Sequence, residues 1–222
     1  MNVLKNYPHS DVGIEIHEVL RYLAYRKDEK APPLWIKEVI EDQITTFRPL
    51  IKPWGIYSLF DNTSFKEHEI LGDAGQLAFG ICTIGQELEE AAESLFRKRE
   101  YLEGLVLDAI GTVATEKLAE LIRDEIKGKV SGTDVSISGR LSPGYGNWQL
   151  DGQHLIFQHF SSEPLKVRKN ESCMMTPRKS LSFAFKLGMW KIEGTEQENC
   201  QHCNLSARCA FKKDHLGNAC NQ

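Results

Sequence analysis

The sequence predicts an α+β fold, in which several helices pack on an antiparallel sheet, followed by a short cysteine-rich tail. Two observations predict the fold class. Long stretches carry apolar residues at helical spacing, and shorter apolar runs end at turn residues, as strands do. A third observation separates the tail, because most of the six cysteines crowd the C-terminal end, beyond a polar stretch at 194–199. We therefore expect one domain over residues 1–192 and a tail over residues 193–222.

Composition and charge narrow the class of protein. The chain has 222 residues, enough to bury a sizeable core, and its 41% hydrophobic and 26% charged content is ordinary for a globular protein. Its 27 basic and 31 acidic side chains give a formal net charge of -4, which offers no electrostatic support for binding nucleic acid or an anionic membrane. No apolar run is long enough to span a bilayer, and the first residues lack the apolar stretch of a secretory signal. We therefore expect a cytoplasmic protein.

The first part of the chain predicts two helices followed by two strands. Apolar residues at near-helical spacing predict a helix over 14–23, and after the prolines at 32–33 a second stretch has an apolar stripe on one helical face. Residues 54–60 form a β-like run that ends at a turn signal, and residues 77–84 read as a buried strand. Both helical stripes are typical of core-facing helices.

The middle of the chain is predicted to be helical. Residues 86–98 carry apolar side chains on one side, and residues 101–127 form a longer helix with a broad apolar stripe. Small residues such as Gly111 would let another element pack closely against the middle of this helix. Glu116 lies beside the apolar stripe, where a glutamate is either simply solvated or has a function.

The last part of the domain predicts a short strand at 135–138, a helix at 150–160 and two strands at 172–175 and 181–187. The final strand shows the strict alternation of apolar and other residues that strands require. Cys82 and Cys173 lie in apolar, strand-like surroundings, where isolated cysteines are usually small buried hydrophobes.

The stretch Arg140-Leu141-Ser142-Pro143-Gly144-Tyr145 carries the clearest sign of a ligand site. Pro143-Gly144 predicts a tight turn, because proline presets φ and glycine accepts φ > 0. Such a turn can aim Arg140 and Tyr145 at the same small volume, where the Arg fork matches a carboxylate and the Tyr ring offers a flat surface with a polar tip. This chemistry suits an amino-acid-like ligand that bears a nucleoside. The residues alone leave a second reading open, in which the two side chains only brace a surface turn.

The order of these motifs resembles the reactivation domain of cobalamin-dependent methionine synthase, in its small free-standing form. The resemblance is carried by the segments 83–89 (TIGQELE), 107–111 (LDAIG), 140–145 (RLSPGY) and 177–180 (PRKS). It extends over residues 15–187, and it rests on the combination of these segments.

The resemblance implies that the chain binds S-adenosylmethionine and supports reductive remethylation of a cobalamin that has become inactive in the Co(II) state. The cobalamin would belong to a separate corrinoid protein, such as a methionine synthase that lacks its own reactivation domain, and an electron donor such as flavodoxin or ferredoxin would reduce it. The chain would act as the S-adenosylmethionine-binding part of this methyl transfer in methionine biosynthesis. Because the reduced cobalt supplies the nucleophile, no catalytic residue is expected, and the protein has to hold the methyl donor in line.

The resemblance also implies which residues would bind this ligand. The expected site consists of Arg140, Ser142, Gly144, Tyr145, Glu116 and Asp134. Arg140 would bind the methionyl carboxylate, Tyr145 would contact the same end of the ligand, and Glu116 would orient one of them by a hydrogen bond. Ser142 would contribute a backbone group, and Asp134 stands where the family has an acidic residue.

The cysteine-rich tail predicts a metal site. The four cysteines are Cys200, Cys203, Cys209 and Cys220. Two thiolates separated by two residues can hold one metal from a single turn, and two more complete a tetrahedral site for zinc or an iron–sulfur cluster. The electron that reactivation consumes favours the cluster, and the tail histidines are alternative ligands. A thiol-rich tail without metal is the other reading.

Two further functions remain open on the sequence alone. One is a non-catalytic accessory module that docks on a corrinoid protein through its metal-binding tail and makes no use of S-adenosylmethionine. The other is a redox protein with zinc or a cluster, whose fold is incidental to its function. Binding of S-adenosylmethionine separates both from the reactivation factor.

Overall fold

A computed structural model describes residues 2–25, 32–131 and 134–189, and within them it confirms the α+β class. The α-helices are α1 (Ile16–Tyr22), α2 (Leu34–Phe47), α3 (Glu87–Arg97), α4 (Tyr101–Lys129) and α5 (Gln153–His159). The strands are β1 (Asn2–Asn6), β2 (Trp54–Asp61), β3 (Gln76–Thr83), β4 (Ser136–Ile137), β5 (Arg168–Lys169), β6 (Met175–Thr176) and β7 (Ser180–Gly188). None of the helices in these ranges has the length and apolarity that a membrane crossing needs.

Five strands form one antiparallel sheet in the order β1-β2-β3-β7-β4. The pairing is longest at the centre, where β3 runs alongside β2 from Trp54↔Thr83 to Asp61↔Gln76 and alongside β7 from Thr83↔Ser180 to Gln76↔Leu187. The last long strand of the described chain therefore fills the gap between β3 and β4. Strands β5 and β6 form a separate two-stranded hairpin.

Helices α1 to α4 cover one face of the sheet. The long helix α4 lies at the centre of this layer, because it packs against α1, α2 and α3 as well as against β2, β3 and β7. Its apolar stripe, which includes Ile110, Ala114 and Leu118, is fully buried together with Phe183 and Phe185 of β7. The broad stripe predicted from the sequence is thus the main contact between the helical layer and the sheet.

Glu125 of α4 ties the first two strands to the helical layer. The hydroxyls of Tyr7 and Tyr57 donate to its carboxylate at 3.1 and 3.0 Å, and the ammonium group of Lys5 lies 2.8 Å from it. Burial works against the charged form of this carboxyl, but the three donors outweigh it and hold the pKa of Glu125 below its usual range. This polar contact joins segments that are 118 and 68 residues apart in sequence.

The opposite face of the sheet is covered by α5 and the loops around it. Ile156 and Phe160 pack there with Trp54, Phe79 and Ile81, all of them buried. Successive side chains of β2 and β3 thus point alternately into the two cores on either side of the sheet, as the two-residue repeat of a strand requires. The near-continuous burial of these strands explains why residues 77–84 read as a buried strand.

Gly80 of β3 lets an aromatic side chain lie across the sheet. It pairs with Phe183 of β7, and a Cβ at this position would stand 2.3 Å from the Phe183 ring. No side chain larger than hydrogen fits there without displacing the ring. The two central strands therefore depend on a glycine for the packing between them.

The structure differs from the sequence predictions at three places. The edge strand β1 was not predicted, because its five residues include a single pair of neighbouring apolar side chains flanked by polar ones. The expected strand at 172–175 is wrong over 172–174, where the chain turns and Cys173 adopts φ 60°; only Met175 joins a strand. The helix expected at 150–160 begins as a 3-10 turn, Leu150–Gly152, before α5. The tail at 193–222 lies outside the described residues.

Candidate functional site

The stretch 140–145 lies at the edge of the sheet beside β7. Leu141 and Ala184 exchange both backbone hydrogen bonds, with N–O distances of 2.9 and 2.8 Å. Beyond this bridge the chain turns, since the Tyr145 amide donates to the Ser142 carbonyl at 3.1 Å and Gly144 adopts φ 92°. The predicted turn is confirmed, and the glycine is required there because other residues rarely adopt such a φ.

Arg140 and Glu116 form the central contact of this region. The Arg140 Nη2 donates to Glu116 Oε2 at 2.6 Å, and the two side chains are only 13% and 22% exposed. Glu116 projects from the middle of α4, so the contact links the edge of the sheet to the helical layer across 24 residues of sequence. A charged hydrogen bond at this degree of burial fixes the orientation of the guanidinium fork.

Tyr22 at the end of α1 interacts electrostatically with Glu116 and Tyr145, which the sequence did not indicate. Burial raises the pKa of the Tyr22 phenol, the Glu116 carboxylate and Tyr145 raise it further, and Arg21 acts in the opposite direction. Arg21 lies over the Tyr22 ring at 4.3 Å and pairs with Glu18 at 2.7 Å. The apolar spacing of α1 indicated a core helix, and only the fold shows that its last turn lies within electrostatic reach of Glu116.

A buried thiol lies within electrostatic reach of the ion pair. Cys82 of β3 is fully buried, and burial raises the pKa of its thiol to about 12, with a smaller lowering effect from Arg140 and a raising effect from Glu116. The thiol is therefore protonated and inert at neutral pH. Its expected role as a small buried hydrophobe is the one that the structure supports.

Ser142 and Tyr145 differ sharply in exposure. The Ser142 Oγ is buried and has no hydrogen-bond partner among the described residues. Tyr145, by contrast, is 63% exposed. A buried hydroxyl without a partner costs free energy, so such atoms are uncommon in folded proteins. The turn thus combines an exposed ring, a charged fork and a hydroxyl that a ligand or water could satisfy.

Asp134 is not brought together with Arg140. It precedes Ser136, which pairs with Gly188, whereas the bridge of Leu141 is with Ala184. Four residues of extended strand separate these two contacts on β7, which is about 13 Å. Asp134 lies farther out still and is exposed.

The segment 177–180 of the sequence resemblance anchors the start of β7 to the helices. The Arg178 amide and side chain both donate to the Glu89 carboxylate of α3 at 3.1 Å, and the Lys179 ammonium lies 2.9 Å from Asp108 of α4. Lys179 also passes along the flank of Gly111, where a Cβ would meet its side chain at 3.2 Å. The small residue predicted to allow close packing in α4 does so for this lysine.

The expected metal site cannot be placed. Its four cysteines lie outside the described residues, and within the described ranges no group of three or more His, Cys, Asp or Glu side chains could hold a metal ion. The prediction of zinc or an iron–sulfur cluster therefore stays a prediction.

Comparison with known proteins shows a similarity of fold. Neither a protein-family model nor a curated protein matches the sequence. Among solved structures, the chain is similar to the MetH reactivation domain bound to AdoHcy, with a TM-score of 0.58 and 14% sequence identity over 84% of this chain and 77% of that one. The architecture described above is thus one that a known reactivation domain shares.

Proposed function

We propose that this chain is a free-standing reactivation factor, which binds S-adenosylmethionine and supports reductive remethylation of the cobalamin of a separate corrinoid protein such as methionine synthase. The observation that carries the proposal is the Arg140–Glu116 pair, whose arginine belongs to the same turn segment, 140–145, as the exposed ring of Tyr145. Support also comes from the fold, which is similar to that of a reactivation domain solved with AdoHcy, the demethylated form of the same ligand.

In this proposal Arg140 recognises the carboxylate of the ligand. A guanidinium carries five N–H donors in a rigid fork, and Glu116 fixes its plane through Nη2. The carboxylate of Glu116 also offsets the charge of the fork while the site is empty, which lowers the cost of burying it. Glu116 is thus a positioning residue, and Arg140 makes the contact.

Ser142, Gly144 and Tyr145 would complete the site. The buried Ser142 Oγ offers a hydrogen-bonding group that has no partner among the described residues, and the positive φ of Gly144 brings the backbone close without a side chain. Tyr145 offers an exposed ring with a polar tip to the same end of the ligand as Arg140. These residues bind and orient, whereas the reduced corrinoid of the partner supplies the nucleophile for the methyl group.

Isothermal titration calorimetry with S-adenosylmethionine tests the binding step. We expect a single site in the wild-type protein and a loss of about 1.5–3 kcal/mol in binding free energy for Arg140→Ala, because a hydrogen bond to a charged group is lost. Arg97→Ala is the matched control, since Arg97 lies on α3 and is highly exposed. Wild-type affinity in Arg140→Ala would refute this site.

Transfer of a labelled methyl group tests the function itself. We expect a reduced corrinoid protein to gain label from S-adenosylmethionine faster with this chain than without it. If the chain binds the corrinoid protein but gives no heat with S-adenosylmethionine, it is the accessory module instead. The two measurements together therefore distinguish the proposed function from its alternatives.

A further inference from the structure

A second cluster of reactive side chains lies on the α5 side of the sheet, away from the Arg140–Glu116 pair. Cys173 Sγ is 3.7 Å from His154 Nε2, and the other ring nitrogen of His154, Nδ1, is 2.8 Å from Lys169 Nζ. His154 belongs to α5, while Lys169 and Cys173 belong to the hairpin of β5 and β6. A thiol, an imidazole and an ammonium group thus stand in line on two elements.

The chemistry of lysine fixes the direction of both contacts. An ammonium group has only donors, so His154 Nδ1 must accept from Lys169. The proton of the neutral imidazole is then on Nε2, which points at Cys173 and donates to its sulfur. The sulfur of Cys173 is therefore the acceptor of this hydrogen bond.

The hairpin tip holds Cys173 in a position that the backbone does not favour. Its φ is 60°, and Asn170 braces the tip, since its side-chain oxygen accepts from the Met174 amide at 2.9 Å and its carbonyl from the Cys173 amide at 3.1 Å. A residue other than glycine adopts this φ at a cost. The tip thereby directs the thiol towards α5 rather than outwards.

We propose that Cys173 is a redox-active thiol, which His154 and Lys169 position for reaction with small hydroperoxides. Because Cys173 is only 7% exposed, the proposal is confined to the smallest hydroperoxide, hydrogen peroxide, and does not extend to a bulky disulfide. The Cys173 thiol gives its proton to solvent, its sulfur attacks one peroxide oxygen, an S–O bond forms and the O–O bond breaks. The other oxygen leaves as hydroxide and takes a proton from solvent, so the sulfur loses two electrons, the peroxide gains them, and a sulfenic acid results.

Peroxide treatment of the full-length protein tests this proposal. The protein is exposed to hydrogen peroxide at pH 7, quenched and unfolded; free thiols are alkylated and sulfenic acid is trapped with dimedone. Mass spectrometry of the Cys173 peptide then reports both the loss of free thiol and the dimedone adduct. Cys82, fully buried and inert, is the internal control. We expect Cys173 to be oxidised while Cys82 remains free.

Variants show whether the neighbours are responsible. We expect oxidation of Cys173 to be at least roughly tenfold slower in His154→Asn and in Lys169→Met. Each change removes one of the two side chains that position the Cys173 sulfur. Lys169→Arg keeps a charged donor and should retain most of the wild-type rate, whereas Lys169→Met keeps the length of the side chain and loses only the charged donor. His9→Asn makes the same change as His154→Asn at an exposed turn and should have no effect.

Two outcomes would overturn the proposal. One is a Cys173 thiol that stays free in the folded wild-type protein after peroxide treatment. The other is equal oxidation rates in wild type, His154→Asn and Lys169→Met. Circular dichroism shows whether each variant has stayed folded. If Lys169→Met has unfolded, Lys169→Arg shows whether a charged donor at this position is sufficient for the oxidation of Cys173. None of these results depends on binding of S-adenosylmethionine.

Discussion

At the scale of single residues, the Arg140–Glu116 hydrogen bond is the contact on which the site depends. We expect Glu116→Ala to lower the free energy of unfolding by roughly 1.5–3 kcal/mol, because the guanidinium loses its charged partner while it stays mostly buried. Urea denaturation measures this change. Asp124→Ala, an exposed change on the same helix, is the control and should be nearly neutral.

A double-mutant cycle with Arg140→Ala isolates the pair. The two single changes should be non-additive by about 1 kcal/mol or more, because both remove the same contact. Additive effects would show that Glu116 stabilises the protein through something other than Arg140. The cycle also separates the structural contribution of the pair from its proposed contribution to binding.

His159 gives the protein a pH-dependent loss of stability on the acid side. Its ring stacks on Phe60 with 4.5 Å between centroids, and burial lowers the pKa of His159 below its ordinary value. The unfolded chain, with a histidine pKa of about 6.5, therefore binds the proton more readily than the folded protein. Stability is full above this pH and falls as the pH drops below it.

A variant tests this assignment. Urea midpoints at pH 7.5 and pH 5.5 should differ less in His159→Phe than in wild type, because phenylalanine keeps the stack and does not titrate. The same difference in both proteins would assign the acid sensitivity to other groups.

Single residues also show which features of the site could be predicted from the sequence and which could not. The turn at Pro143-Gly144 was predictable because its chemistry is local. The contact of Arg140 with Glu116 was suggested only by the family resemblance, since 24 residues separate the two. Tyr22 was missed altogether, because an aromatic residue in the apolar stripe of a short helix gives no sign of which element its last turn faces.

At the scale of the elements, the pairing of β3 with β7 depends on Gly80. We expect Gly80→Ala to destabilise the protein by about 1–3 kcal/mol, since the new methyl group would stand 2.3 Å from the Phe183 ring. Thermal or urea unfolding measures the loss.

The chain supplies its own opposite control. Gly128 lies in α4 with no atom within 4 Å of a Cβ built there. Gly128→Ala should therefore stabilise the protein by up to about 0.5–1 kcal/mol, because alanine loses less backbone freedom in a helix. Equal effects of the two changes would contradict the crowding at Gly80.

The elements that the sequence predicted well are the long and strongly periodic ones. Helices α2, α3 and α4 and strands β2, β3 and β7 were expected close to their observed bounds, because each must present one continuous face to a core. The short strand expected at 135–138 is present as the two-residue strand β4, whereas the two residues of β5 offer too few side chains for a pattern. A strand was expected at 172–175 because Cys173, Met174 and Met175 are apolar, yet the hairpin needs a turn over 172–174.

At the scale of the whole molecule, the ligand site and the cysteine tail should be separable. All residues of the proposed ligand site precede residue 146, and the tail cysteines follow residue 199. We expect the double variant Cys200→Ser/Cys203→Ser to lose any bound metal and to keep its affinity for S-adenosylmethionine within about twofold. Metal and sulfide analysis after anaerobic purification, with calorimetry on the same sample, checks both.

The result also identifies the metal. Iron with stoichiometric sulfide supports electron delivery by the tail, whereas colourless protein with stoichiometric zinc excludes it. Loss of S-adenosylmethionine binding in the double variant would mean that the tail takes part in the site.

The position of β7 has a consequence for how the protein is made. Ribosomes release the chain from its N-terminus, yet β7 is the last long strand described and inserts between two strands synthesised much earlier. Phe183 and Phe185 of β7 pack in one core, and Ala184 packs in the other. Ala184 also pairs with Leu141, next to the proposed ligand site. Until residues 180–188 have emerged, both cores lie open and the nascent chain has to be shielded from aggregation.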